Sequence, residues 1–189
     1  MKIENLSFSY EDKSVFKNFS CEISSPVTCL TAPSGFGKTT LLRLIAGLEN
    51  PNTGSISPLP QKPAFMFQED RLFPWLTALQ NVETVMPKGS ENKAKELLIK
   101  VGLSENFNSY PDELSGGMKR RVALARTLAY EADLLLLDEP FKGLDIPLAQ
   151  KMCSLIKNCG VQTIVATHSP EEISLLGGFV LDLDKTNRL

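Results

Sequence analysis

The hydrophobic positions near the N-terminus follow the period of a β-strand. Residues 6–10, LSFSY, carry apolar side chains at alternate positions, and residues 19–23, FSCEI, repeat that pattern. Alternation with a period of two predicts strands that bury one face. Residues 27–31, VTCLT, form instead a continuous run rich in β-branched residues, which is typical of a strand buried on both faces.

From residue 27 onward, apolar strand patterns alternate with patterns of helical period. Further strands are predicted at 63–68, 133–140, 161–168 and 179–184, and helices at 41–48, 119–130, 147–160 and 170–178. Residues 49–54, ENPNTG, form a turn cluster after the first helix. Strands that alternate with helices predict a mostly parallel sheet covered by helices, which is an α/β fold.

One block of the chain departs from this alternation. Between Glu69 and Leu114 there are few β-branched residues, and segments 77–86 and 91–103 have helical patterns. We therefore expect a small helical subdomain, at about 69–115, inserted into a single domain that spans 1–189. The length suits one well-cored domain.

Composition narrows the class of protein. Hydrophobic residues make up 42% and charged residues 22%, which predicts a soluble folded protein, and the net charge of −2 argues against a nucleic-acid partner. The first residues lack the apolar stretch of a signal peptide, and the longest apolar runs are too short to cross a bilayer. With one histidine and four cysteines outside any CxxC pair, we expect reduced thiols rather than a zinc site.

A phosphate-binding motif follows the third predicted strand and opens the first helix. Residues 32–39, APSGFGKT, match the spacing of the P-loop except at Ala32, where glycine is usual. Gly35 and Gly37 let backbone N–H groups approach a phosphate, Lys38 brings a cation to it, and the Thr39 hydroxyl suits Mg²⁺. The alternative is a glycine turn that precedes a lysine by chance. The predicted nucleotide-binding residues here are Ala32, Pro33, Ser34, Gly35, Phe36, Gly37, Lys38, Thr39 and Thr40.

Two carboxylates follow the most apolar strand. Residues 134–140, LLLLDEP, would carry Asp138 to the carboxyl edge of the sheet, where ligands bind in open α/β folds. Asp138 could then hold Mg²⁺, and Glu139 could act as the general base for an attacking water. The same residues could also form an ordinary polar strand exit.

Together with these motifs, LSGGM at 114–118 resembles the signature of the ATP-binding cassette (ABC) ATPases, normally LSGGQ. The order of the motifs matches that family over essentially the whole chain. Gln68 matches the Q-loop glutamine, FKGLD at 141–145 the D-loop, His168 the switch histidine, and Tyr10 the aromatic residue that stacks on adenine.

The resemblance implies the ABC ATPase fold: a P-loop NTPase with a mostly parallel central sheet, an antiparallel β element at the N-terminus and a small helical subdomain. It also implies ATP and Mg²⁺ as cofactors, with Thr39, Gln68 and Asp138 at the metal and Glu139, His168 and Gln68 in catalysis. The site would be completed in trans by a second copy or a paralogous subunit in a head-to-tail dimer. The residues that reach across are then Leu114, Ser115, Gly116, Gly117 and Asp145.

Each of these residues has a structural alternative. Tyr10 could be a core aromatic residue, Gln68 could cap the helical insertion, and His168 could be a satisfied structural histidine. Asp145 is also the expected N-cap of the helix at 147–160, and both roles can hold together.

The chain also departs from the family pattern. Met118 replaces the last glutamine of the signature, and Arg120 stands where glutamine is common. We expect Lys119, Arg120 and Arg121 to form a solvated face with salt bridges. With Ala32, these departures leave open a regulatory subunit that binds nucleotide but hydrolyses it poorly.

The sequences of the motifs favour a transporter subunit over a soluble ABC ATPase of another kind. One cassette with a short insertion favours a transporter, and FQEDRLFPWLT at 67–77 resembles the ATPases of nitrate, sulfonate and taurine importers. The apolar stretch Leu72–Leu76 predicts a docking groove for an integral membrane permease, unless it is the insertion's own core. An extracytoplasmic solute-binding protein would act indirectly, and the chain would lie in the cytoplasm on the inner face of the membrane.

Overall fold

The computed structural model describes residues 1–11 and 13–186 as eight strands joined by helices. The strands are β1 (Lys2–Tyr10), β2 (Lys13–Glu22), β3 (Val27–Thr31), β4 (Thr53–Ser57), β5 (Pro63–Met66), β6 (Leu134–Asp138), β7 (Gln162–Ala166) and β8 (Phe179–Asp182). The α-helices are α1 (Lys38–Ile45), α2 (Ala78–Glu83), α3 (Glu91–Lys100), α4 (Gly116–Ala129), α5 (Ile146–Lys157), α6 (Pro170–Leu176) and α7 (Leu183–Thr186).

The strands form two sheets. Five of them pair in the order β5-β6-β7-β3-β8, and every pairing in this sheet is parallel. The other three form an antiparallel sheet in the order β2-β1-β4. This arrangement confirms the predicted fold class, with a parallel central sheet and an antiparallel N-terminal element.

Strand β6 shows why the central sheet is apolar on both faces. Leu134 and Leu136 lie in one hydrophobic core, with α1 and the N-terminal sheet, whereas Leu135 and Leu137 lie in the other, with α2 to α5. Successive side chains of a strand point to opposite faces, so a strand between two cores must be apolar at every position. The run LLLL therefore places Asp138 at the end of a fully buried strand.

Strand β4 lies partly where the sequence predicts only a turn. Residues 53–57, TGSIS, carry one apolar side chain, Ile56, so they show no strand period of their own. They form a strand because their backbone pairs with β1, with Ile3 opposite Ile56. Similarly, the last predicted strand ends at Asp182, and residues 183–186 continue as α7.

Helices α2 and α3 lie in the segment for which a helical insertion is predicted, although the division itself stays a prediction. Both are shorter than their sequence patterns, because α2 ends at Glu83 and α3 at Lys100. The buried Asn81 accepts a bond from the Phe73 backbone N–H and donates to the carbonyls of Phe73, Leu76 and Thr77. These bonds hold the loop before α2 in a defined shape.

The described part of the chain contains no helix whose length and hydropathy would let it span a membrane.

Candidate nucleotide-binding and hydrolysis site

The P-loop forms one wall of a cavity of about 330 Å³ at the N-terminus of α1. The cavity is lined by Ser34, Gly35 and the residues Gly37–Thr40. Ala32, the first residue of the loop, is buried. The Lys38 ammonium donates to the carbonyls of Ala32 (2.7 Å) and Pro33 (3.3 Å). Because a helix N-terminus presents unpaired N–H groups and partial positive charge, this wall suits a phosphate.

Gly37 is required by two features of the loop. Its φ of +92° lies in the left-handed region, and a Cβ there would come within 2.7 Å of Val15 Cγ1 and 2.9 Å of Phe16 Cζ. Both contacts are shorter than real Cβ atoms make. A side chain at position 37 would therefore push the loop away from β2.

Asp138 and Thr39 meet at the floor of the cavity. The Thr39 hydroxyl donates to Asp138 Oδ2 at 2.6 Å, which joins the end of β6 to the start of α1. Burial raises the pKa of the Asp138 carboxyl, while the bond from Thr39 and the charges of Arg120 and Lys38 act in the opposite direction. The pair offers the hard oxygen ligands that Mg²⁺ prefers.

The three residues predicted for catalysis lie together. Gln68 Nε2 donates to Glu139 Oε2 at 3.5 Å, and His168 Nδ1 lies 3.2 Å from Glu139 Oε1. Glu139 and Gln68 line the P-loop cavity, and both also line an adjoining cavity that contains His168. The histidine side chain is 67% exposed, and the contact with Glu139 suits both the switch role and a satisfied structural histidine. The catalytic roles of the three stay a prediction.

Glu139 has a strained backbone. Its φ is +49°, a left-handed conformation that costs a residue with a Cβ about 1–3 kcal/mol. Its N–H donates to the Ala166 carbonyl at 2.9 Å, which ties the turn after β6 to the end of β7. The turn aims the carboxylate toward Gln68 and His168.

Tyr10 also lines the P-loop cavity. Its ring is 37% exposed and packs edge-on against Phe8, with a centroid distance of 4.8 Å, and its hydroxyl lies 3.4 Å from Glu49 Oε1. It is therefore not a core aromatic residue. Its predicted contact with adenine stays a prediction, and Lys13 and Val15, which the sequence did not indicate, also line the cavity.

The signature residues lie apart from these two cavities. Ser115 caps α4 by accepting from the Met118 N–H at 3.3 Å, and Gly116 follows on the surface. A Cβ on Gly117 would lie 3.2 Å from the Gly143 carbonyl oxygen, so the signature packs beside the D-loop. Asp145 caps α5 through the Leu148 N–H at 2.9 Å, as predicted. Within the described chain, Leu114, Ser115, Gly116 and Asp145 line neither cavity.

The expectation that Arg120 is solvated was wrong. Arg120 is 3% exposed. Its guanidinium donates to backbone carbonyls around Gln68 and Glu139 and to the Asp70 carboxylate. The expected salt bridge does form, at 3.0 Å from Asp70 Oδ1. A signal was present, because Arg120 precedes Ala123, Leu124 and Thr127 by three, four and seven residues, on the buried stripe of α4.

A second residue missed at sequence level is Glu172, on α6. It accepts a hydrogen bond from the Thr167 hydroxyl and lines the cavity of His168. Burial raises the pKa of its carboxyl, against the effects of Thr167 and His168. A local signal was present, because Ser169 and Glu172 have the S-x-x-E spacing of a helix N-terminus just after β7, and the Ser169 hydroxyl accepts the Glu172 N–H.

The apolar stretch before α2 is on the surface. Trp75 is 69% exposed and Phe73 39%, and their ring centroids lie 5.6 Å apart. Leu72, by contrast, packs against the core, and Arg126 lies 5.9 Å from the Phe73 ring. The alternative that this stretch is the insertion's own core therefore holds for Leu72 and not for Trp75.

Comparisons with known proteins agree with this architecture. A family model described as ABC transporter matches residues 16–142. The aliphatic sulfonates import ATP-binding protein SsuB 2 of Agrobacterium fabrum is 38% identical over 93% of this chain and 73% of its own length. The ergothioneine transport ATP-binding protein EgtV of Helicobacter pylori is 36% identical over 96% and 95%. The SsuB protein of Burkholderia ambifaria is 40% identical over 80% of this chain, and the match spans about half of its length (50%).

Solved structures show the same fold. The dimeric structure of MJ0796, a bacterial ABC transporter cassette, superposes with a TM-score of 0.82 at 29% identity and covers 96% of this chain and 94% of its own. A post-hydrolysis dimer of the same cassette, bound to ADP and Pi, gives 0.76 at 30% identity over 93% and 89%. The resemblance noted in the sequence is thus confirmed: the chain belongs to the ABC transporter family and forms its ATP-binding cassette, an ATPase.

Proposed function

We propose that this chain is the ATP-binding and hydrolysing subunit of an ABC importer and that it drives a separate membrane permease. The observation that carries the proposal is the meeting of a P-loop with a strained glutamate whose carboxylate contacts both Gln68 and His168. The relatives named above are import or transport ATP-binding proteins. They are named for different solutes, so they support import without identifying the solute.

The cavity fits a nucleotide in its chemistry. Backbone N–H groups of the P-loop would bind the phosphates, Lys38 would neutralise them, and Tyr10 would stack on the base. Mg²⁺ would be held by Thr39, Gln68 and Asp138, and it would offset charge on the phosphate oxygens. The hydroxyl and carboxylate of Thr39 and Asp138, already 2.6 Å apart, are a suitable donor pair for it.

The carboxylate of Glu139 is placed to act on a water molecule. It would accept a proton from the water that attacks the terminal phosphate, since it is the carboxylate that both Gln68 and His168 contact. Gln68 and His168 would hold its orientation. The intact set of Lys38, Asp138, Glu139 and His168 favours an active enzyme over a weak regulatory subunit.

We propose further that ATP binding brings two chains together. Ser115 and Gly116 lie on the surface, apart from the P-loop of their own chain, and the N-terminus of α4 carries partial positive charge toward solvent. A second copy, or a paralogous subunit, would place Leu114, Ser115, Gly116, Gly117 and Asp145 against the nucleotide. Two dimeric cassette structures of a related protein support this arrangement.

The permease would dock on the surface formed by Phe73 and Trp75, which we call the aromatic patch. These two rings are exposed and adjacent, next to the loop that carries Gln68. Docking there would place the chain on the cytoplasmic face of the membrane, with a solute-binding protein acting on the other side through the permease.

The test of the proposed function is Glu139→Gln. Because an amide cannot accept the proton of water, we expect ATP turnover to fall roughly 10²- to 10⁴-fold while ATP binding persists. The variant should also accumulate as an ATP-bound dimer, measured by light scattering after size exclusion. Glu131→Gln, an exposed position before β6, is the matched control and should hydrolyse ATP as the wild type does. An unchanged rate in Glu139→Gln would show that Glu139 is not the base, and no turnover in the wild type would favour the regulatory subunit.

A further inference from the structure

Arg120 makes an unusual set of contacts for a residue in the second turn of a helix. Its Nη1 lies 2.8 Å from the Phe67 carbonyl oxygen and 3.1 Å from that of Gln68, and its Nη2 lies 2.5 Å from the Asp138 carbonyl and 2.7 Å from that of Glu139. One buried guanidinium thus bonds to the backbone of both segments whose side chains meet over the cavity.

Most of the hydrogen bonds of Arg120 go to these carbonyls, and fewer go to a carboxylate. Asp70 is the carboxylate partner that the structure shows, and its side chain is itself partly exposed. Among the described residues, Arg120 Nε has no hydrogen-bond partner although it is buried. Four of the five acceptors that the guanidinium reaches are backbone carbonyls.

Glu139 is the residue most dependent on these bonds. Its left-handed backbone is held at its N–H by the Ala166 carbonyl and at its own carbonyl by Arg120 Nη2. Two bonds on opposite sides of one strained residue fix its φ and ψ and hence the direction of its side chain. The bonds from Nη1 to the Gln68 carbonyl tie the opposing loop to the same guanidinium.

We propose that Arg120 is a positioning residue for ATP hydrolysis, which holds the Glu139 carboxylate against Gln68 by fixing the backbone of both segments. Arg120 does not line the cavity proposed for the nucleotide, so its removal should lower the rate of the chemical step and not the affinity for ATP. This inference rests on the proposed role of Glu139 as the base.

The experiment compares Arg120→Lys with Arg43→Lys. Lysine keeps the positive charge beside Asp70, but a single ammonium cannot span the carbonyls on both segments as the planar fork does. Arg43, on α1, forms an ion pair with Glu49 at 4.0 Å and lines neither cavity, so it is the control for an arginine-to-lysine change. We expect Arg120→Lys to lower kcat about tenfold or more with the Kd for Mg-ATP within about twofold, and Arg43→Lys to change neither beyond about twofold.

A double substitution tests whether the effect passes through Glu139. In a Glu139→Gln background, Arg120→Lys should leave the residual rate within about twofold, because the group that it positions is already gone. Arg120→Met, an unbranched side chain that donates to none of these carbonyls, should lower kcat at least as much as lysine does. Thermal unfolding of each variant shows whether it is folded.

Several results would overturn the proposal. One is a wild-type kcat in folded Arg120→Lys, and another is a weaker affinity for ATP with kcat unchanged. A third is a fall in rate in the double variant that adds to that of Glu139→Gln. Failure of both Arg120 variants to fold would assign Arg120 a purely structural role. The outcomes remain separable from those for the proposed function. If Glu139→Gln hydrolyses ATP normally, the base assignment fails; if it is inactive while Arg120→Lys is fully active, only this inference fails.

Discussion

The P-loop and the signature each lead into a helix N-terminus that suits a phosphate. The first is surrounded by other groups of the same chain, whereas the second is exposed. At α1, Lys38 and Thr40 are buried, and Thr39 and Lys38 already bond to Asp138 and to carbonyls of the loop. At α4, Ser115 and Gly116 are exposed, and among the described residues outside its chain neighbours and its own helix backbone, no heavy atom lies within 4 Å of where a Cβ on Gly116 would be.

This difference separates a helix start whose neighbouring groups are already assembled within one chain from a helix start whose phosphate would have to come from a second chain. The first helix start has its lysine, its metal-type oxygens and its carboxylates in place around a single cavity. The second has N–H donors and partial positive charge, but within the described residues Ser115 and Gly116 line neither cavity, and the Ser115 hydroxyl is engaged in its cap bond. It follows that changes at α1 should act on the isolated chain, whereas changes at the N-terminus of α4 should act only when two chains meet.

The largest effect on the affinity of the isolated chain for ATP should come from Lys38→Ala. Removing the cation of the P-loop eliminates a charge-assisted bond to phosphate, which contributes about 1.5–3 kcal/mol, so we expect ATP affinity to fall roughly 10- to 100-fold and turnover to fall with it. Calorimetric titration of the isolated chain with Mg-ATP measures the affinity. Lys62→Ala, at an exposed lysine before β5, is the control. Wild-type affinity in Lys38→Ala would mean that the P-loop does not bind the nucleotide.

An intermediate effect is expected from Gly116→Ala, which tests the other side of the comparison. A methyl group has open space around it in the single chain, and alanine favours a helix by about 1 kcal/mol over glycine, so thermal stability should hold or rise. In a dimer the same methyl would stand between the signature and the partner's nucleotide. We expect turnover and ATP-dependent dimerisation to fall about tenfold or more, with ATP affinity of the monomer unchanged.

A pair of N-cap variants separates capping from contact in trans. Ser115→Ala and Thr77→Ala each remove a hydroxyl that accepts a backbone N–H at 3.3 Å, so each should cost its helix about 0.5–2 kcal/mol. Only Ser115→Ala should also reduce dimerisation with ATP. Equal turnover in the two variants, or full turnover in Gly116→Ala, would contradict the incomplete-site interpretation.

The smallest effect on the isolated chain should come from the aromatic patch. Because Trp75 is 69% exposed, Trp75→Ala should change the free energy of unfolding by no more than about 0.5 kcal/mol and leave basal ATP turnover unchanged. Assembly with the co-expressed permease should weaken, since burying such an aromatic side chain contributes roughly 1.5–3 kcal/mol. Pull-down of the complex measures it, with Ile99→Ala, at an exposed position on α3, as the control.

The fluorescence of Trp75 gives an independent check, since the chain has one tryptophan. Emission of the free subunit should be that of a solvated indole and should shift to shorter wavelength when the permease binds. A buried-indole emission in the free subunit, or equal assembly by Trp75→Ala and Ile99→Ala, would rule out docking at the aromatic patch.

Contiguous features were determined by the sequence itself. The P-loop needs its glycines, lysine and threonine within eight residues, and Asp138 and Glu139 follow directly on a strand that is apolar at every position. Local spacing and the period of the hydrophobic residues therefore predicted the parallel sheet, the loop and the carboxylates in the right order.

Features that depend on distant segments were decided only by the tertiary structure. Strand β4 has almost no period of its own and exists because β1 offers it a hydrogen-bonding edge. Gln68 meets Glu139 because β5 pairs with β6 in the central sheet. In the sequence, Arg120 looks like one of three surface cations. In the structure it donates to five acceptors, which lie in the segments that follow β5 and at the end of β6. A charge can be buried only where such acceptors are gathered, and their gathering depends on the fold and not on the residues beside it in the chain.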